Sequence, residues 1–215
     1  MIDKSVNWPG GARIAVMLTF DFDAETLWTS RDPANARRPG ILSQGVYGAK
    51  VGVPKILETL RDEGLKATFF VPGWTAEHHP QRTEMIVAGG HEVAHHSYSH
   101  NWIDPDYPEK EVEEMERGLE ALKRVVGVVP RGYFSIKSPR PIFPNSHILE
   151  IFQDEFREIY RWGGLYNLVM HPQVIGRPSR IALLREIIGF IRSFPNVWFA
   201  TGTEVAEAWS AAHDA

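Results

Sequence analysis

Two short clusters carry side chains suited to hydrolysis: Asp21 and Asp23 in LTFDFDAET, and His96 and His100 in HEVAHHSYSH. Two carboxylates and two imidazoles are enough for a three-ligand metal site with one carboxylate left over as a base. That is the equipment of a metal-activated water. Asp21 and Asp23 lie two apart at the end of an extended run, so they share a face. His96 and His100 lie four apart, the spacing that puts both imidazoles on one side of a helical turn. Alone, the first pair also fits ordinary strand-end caps and the second an exposed histidine pair; together, each after an apolar strand, they point to metal binding. His171, in YNLVMHP, closes a third apolar strand that Pro172 stops, and it suits a general acid for a leaving amine. His95 alternates away from His96 and reads as packing or support. His91 reads as a turn residue after Gly89 and Gly90, and Glu25 as a solvated one. Trp28, Tyr98, Trp102 and Tyr133 fit either packing or the walls of a substrate cleft.

The elements that must hold these residues alternate in type. Apolar runs rich in β-branched and aromatic residues predict strands over 14–20, 66–71, 92–96, 131–135, 166–170 and 197–201. Helical patterns fall over 53–63, 81–88, 108–126, 146–162, 179–194 and 203–211, with Gly64, Gly89 and Gly127 stopping three of them. This alternation predicts an α/β fold around a parallel sheet, open or closed into a barrel. Asp21, Asp23, His96, His100 and His171 then all fall at or just beyond C-terminal strand ends, the rim where such folds build active sites. Residues 29–47, polar and rich in proline and glycine, predict a long loop over that rim. Three prolines in 136–145 exclude a helix or central strand there. The charge run over 109–124, with opposite charges at i,i+4, predicts a solvated helix face.

At 215 residues the chain can bury one sizeable core, which predicts a single domain over 1–215. A net charge of −4 gives no electrostatic argument for nucleic acid or an anionic membrane. Without cysteine, any metal must be held by His, Asp or Glu. The apolar run 14–20 is too short for a secretory signal or a membrane span. The expected location is therefore cytoplasmic, which favours a small substrate over an external polymer.

At these residues the chain resembles a known family. LTFDFD followed by GHEVAHHSYSH is similar to the first two motifs of the polysaccharide deacetylases, the NodB-homology group or carbohydrate esterase family 4. GGLYNLVMHPQVIGRPSRIALLREII and VWFATGTEVAEAW resemble the end of its domain, closest to the branch of peptidoglycan-deacetylase-like proteins, allantoinase-like enzymes and cyclic imide hydrolases. The resemblance covers most of 10–135 and 146–210. It implies a distorted (β/α) barrel and a divalent metal, zinc, on Asp23, His96 and His100. It also implies Asp21 as the base and His171 as the acid that protonates the departing nitrogen. The reaction implied is hydrolysis of a non-peptide carbon–nitrogen bond in an N-acetylated sugar or a small amide or cyclic imide. The chain departs from the family after its fourth strand, where an Arg-Ser/Ala-Pro motif is expected. Phe134 stands in the arginine's place, with Lys137 and Arg140 as the nearest substitutes. Several tens of residues of middle barrel, with an acidic partner for the histidine acid, are absent. Six strands against the eight of a full barrel predict an incomplete barrel whose edges need an open sheet, a rearranged seam or a partner chain, so a homo-oligomer is expected. The alternative is a degenerate member that binds metal or ligand without turnover.

Overall fold

The structure, a computed structural model, describes residues 6–127, 129–130 and 144–213. Strand β1 (Ile14–Asp21) is its axis, buried along its length except at Met17, as a central parallel strand requires. One edge of β1 pairs with β4 (Leu165–Met170) over Ala15–Phe20. The other edge is shared: β5 (Val197–Ala200) takes Ile14–Met17 and β2 (Thr68–Val71) takes Thr19–Asp21. Strand β3 (Glu92–His95) extends the sheet beyond β2, and every pairing is parallel. Among the described residues the sheet stays open between β3 and β4, in line with an incomplete (β/α) barrel. The expected strand 131–135 lies outside the described residues, as do Tyr133, Phe134, Lys137 and Arg140.

Alternation sorts β1 between two environments. Ile14, Val16, Leu18 and Phe20 enter the main core with residues of α3 (Val53–Asp62), α6 (Pro108–Val126), α7 (Asn145–Trp162) and α9 (Pro178–Arg192). Phe156 on α7 is fully buried and meets Tyr166, Phe190 and Phe194 edge-on at 5.1–5.8 Å. Each such pair contributes about 0.5–1.5 kcal/mol beyond area burial, which fastens α7 and α9 to β4. Trp8, Ala15, Ala200 and Val205 form a smaller cluster where β5 and α10 (Gly202–His213) meet the start of β1. Thr19 and Asp21 alternate to the other face of the sheet and are buried there, where the Thr19 hydroxyl donates to Asn167 Oδ1 at 3.2 Å.

The long loop expected over 29–47 is instead largely helical. After α1 (Thr26–Thr29), a 3-10 turn Pro33–Arg37 leads into α2 (Pro39–Tyr47), which runs through a π turn, Gly48–Gly52, into α3. Pro39 opens α2 where no N–H is needed. The glycines of this stretch are sites of close approach rather than breaks. A Cβ on Gly45 would lie 2.5 Å from the carbonyl carbon of Ala24, and one on Gly52 2.3 Å from the carbonyl oxygen of Pro172. The helix backbone therefore rests directly on the segments that follow Asp23 and His171. Two more short helices, α4 (Gly73–His78) and α8 (Pro172–Ile175), follow β2 and β4 at the rim, and α5 (Pro80–Ala88) returns the chain to the start of β3.

Candidate active site

The strand ends bring all five expected residues together. Asp21 is the last residue of β1; Asp23 follows on a loop turned by Ala24 in the left-handed region (φ 51°). The hydroxyls of Thr26 and Thr75 donate to the Asp23 carbonyl at 2.7 and 2.8 Å and fix that turn. His96 comes directly after β3. His100 reaches the same point by an irregular loop, not the helical turn its spacing suggested: Ser97 and His100 both adopt φ 61°. The amide of His100 donates to Ser97 Oγ at 2.9 Å, closing the loop on itself. His171 stands between β4 and α8.

Asp23 is the centre of this cluster. Its Oδ1 lies 3.4 Å from His96 Nε2 and 3.7 Å from His100 Nε2, and its Oδ2 lies 3.6 Å from His171 Nε2. His171 Nε2 also lies 3.7 Å from Asp21 Oδ2. Asp23 is fully buried, and neither of its carboxylate oxygens accepts a hydrogen bond. Burial works to raise its pKa, but the imidazoles of His100, His96 and His171 outweigh burial and lower it to about 2. Burial lowers His100, against the pull of Asp23. An ionised carboxylate thus faces an imidazole biased towards its neutral form, a pocket rich in lone pairs and short of positive charge. One donor atom each from Asp23, His96 and His100 lies within 4.8 Å of the others, and this set fits a divalent cation. The far nitrogen of His100, Nδ1, meets Ser30 Oγ at 3.3 Å, an outer partner that orients the ring.

The supporting residues depart from expectation in several places. Glu25 is not solvated: its carboxylate meets His79 Nε2 at 2.8 Å, with both side chains largely covered. His91 directly follows the Gly89–Gly90 turn, as expected, and is buried against the edge of Phe69. His95 packs away from the site, its Nε2 3.0 Å from the carbonyl of Met115 on α6. The Tyr98 hydroxyl donates to Glu77 at 2.8 Å, and Trp102 lines a cavity of about 290 Å³ beside the His100 loop. A second cavity of about 260 Å³, lined in part by Thr26, Ser30, Trp74 and Ser99, adjoins the supports of Asp23 and His100. Sequence reading missed Thr26, Ser30, Thr75 and His79, because isolated hydroxyls and a lone helix-end histidine carry no spacing signal.

Known proteins share this arrangement of elements. The family model for polysaccharide deacetylase matches residues 40–139, a span that includes His96 and His100. The peptidoglycan deacetylase of Helicobacter pylori is 32% identical over 120 residues, 56% of this chain and 41% of that protein. The chain thus spans less than half the length of that relative. The crystal structure of an allantoinase superposes with a TM-score of 0.85 at 21% identity, covering 99% of this chain and 95% of that one, a likeness of fold. The crystal structure of a putative polysaccharide deacetylase from Mycobacterium smegmatis superposes with a TM-score of 0.87 at 31% identity. That match covers 98% of this chain and 95% of the other; the chain belongs to the polysaccharide deacetylase family.

Proposed function

We propose that this chain is a metal-dependent hydrolase of non-peptide carbon–nitrogen bonds, with zinc held by Asp23, His96 and His100. The observation that carries the reading is the Asp23 carboxylate, fully buried, without a hydrogen-bond donor and ringed by three imidazole nitrogens. Tetrahedral zinc with bonds of about 2.0–2.2 Å sets its ligand atoms about 3.3–3.5 Å apart. The separations of 3.4 and 3.7 Å from Asp23 Oδ1 support that spacing. When bound, the metal acidifies water and polarises the scissile carbonyl. Asp21 accepts a proton from the attacking water. His171 gives a proton to the departing nitrogen, so that a neutral amine leaves. The two are 3.7 Å apart, so a scissile group enters by parting them. The His171 side chain, 28% exposed against 0–13% for the ligands, supports its role on the substrate side.

The favoured substrate is a small amide, cyclic amide or imide, supported by the resemblance of GGLYNLVMHPQVIGRPSRIALLREII and VWFATGTEVAEAW to the allantoinase-like and cyclic imide hydrolase branch of the family. An N-acetylated sugar is the competing substrate, supported by the peptidoglycan deacetylase relative. Assay of zinc-loaded protein on cyclic imides, allantoin and acetylated chito-oligomers separates them. Turnover of the oligomers alone overturns the small-substrate preference. The sheet, open between β3 and β4 among the described residues, favours a second reading, metal or ligand binding without turnover, with association of copies of the chain. Stoichiometric zinc with no hydrolysis of any of these substrates supports that second reading and overturns the first.

A further inference from the structure

The loop between His96 and His100 holds two non-glycine residues in the left-handed region, so something outside it must keep it in shape. Two helices that pack on each other at Gly73 and Gly118 hold it. From α4, the amides of Gly73 and Trp74 donate to the carbonyls of Ser97 and Tyr98 at 3.0 and 2.9 Å. From α6, Glu114 takes the amides of the same turn: Tyr98 and Ser99 donate to Oε2 at 3.1 and 2.7 Å, and the Ser99 hydroxyl donates to Oε1 at 2.7 Å. Gly118, one turn further along the same face of α6, permits this approach; a Cβ there would lie 2.3 Å from His95 Nε2 and 2.7 Å from the Ser97 carbonyl oxygen. These hydrogen bonds from α4 and α6 all fall on Ser97, Tyr98 and Ser99, the three residues between the two histidines.

We infer that Glu114 is a positioning residue for the metal ligand His100. Its carboxylate gathers three donors from a segment that would otherwise relax out of the left-handed conformation. It thereby holds the His100 imidazole within reach of Asp23. Charge-assisted hydrogen bonds of this kind are short and stronger than neutral ones, and outer partners of metal ligands commonly set affinity. Glu114 touches neither metal nor substrate; it acts through the backbone of Tyr98 and Ser99. The inference rests on the reading of Asp23, His96 and His100 as the metal site.

The test is zinc affinity by chelator competition, with the absorption spectrum of the cobalt-substituted protein and the melting temperature of the metal-free protein measured beside it. Glu114→Ala should weaken zinc binding about 10–100-fold, and Glu114→Gln, which keeps one acceptor oxygen, by less. The cobalt spectrum of both should shift as His100 moves. Glu116→Ala, exposed on the same helix and outside the lining of the cavity beside the loop, should match wild type. If Glu114→Ala does not fold, Glu114→Gln carries the test. Lowered melting temperature with wild-type zinc affinity and cobalt spectrum overturns the inference, because it assigns Glu114 a purely structural role. Wild-type protein that binds no zinc overturns the underlying site instead.

Discussion

Asp23 works through both its side chain and its backbone. Its carboxylate faces the imidazoles, while its carbonyl is held by Thr26 and Thr75. Replacing Thr75 with Val removes one of three hydrogen bonds to that carbonyl, which the Thr26 amide also reaches at 3.1 Å, and should cost about 0.5–1.5 kcal/mol in urea unfolding. His171 should separate chemistry from binding: His171→Asn lowers kcat about 10²–10⁴-fold with zinc content unchanged. Loss of zinc in that variant contradicts its assignment as the acid. A third residue gives a pH test remote from the metal. Burial, with Lys66 adding repulsion, lowers His91 to about 4, whereas in the unfolded chain it titrates near 6.5. Between these values the unfolded state binds more protons, so His91 makes stability fall as pH falls through that window. His91→Asn should flatten the slope of unfolding free energy between pH 7 and pH 4.5; an unchanged slope contradicts the burial argument.

At the scale of elements, composition marked the strands and obscured the helices over the rim. The described strands begin and end within two residues of their expected positions, because continuous apolar runs closed by a polar residue have few other readings. Helix α2 was hidden because Pro39, Gly40, Gly45 and Gly48 look like turn formers, when Gly45 is small to let Ala24 approach. Gly45→Ala should therefore destabilise the protein by about 1–3 kcal/mol through overpacking. Gly40→Ala, with open space around its Cβ, should stabilise by about 0.5–1 kcal/mol through helix propensity. Equal effects of the two in urea denaturation would contradict the close-approach account. Glu114 was hidden differently. In a helix of alternating charge it reads as one more solvated residue, and only the loop folded against it reveals its three donors.

For the whole molecule, the motif pairs carried family membership because their residues converge from β1, β3 and β4, strands far apart in sequence and joined by the topology. Composition could not reveal which outer residues support them, since those contacts depend on how helices cross the rim. Because a metal that binds only the folded state stabilises it by mass action, zinc at 100 times its dissociation constant adds about 2.7 kcal/mol. Chelation should lower the melting temperature of wild type and leave that of Asp23→Asn almost unchanged. The central claim is the metal site itself, and the direct measurement is zinc content of purified wild type beside His96→Ala after identical loading and desalting. The account predicts about one zinc per wild-type chain and a large loss in the variant. Equal zinc in the two would contradict it.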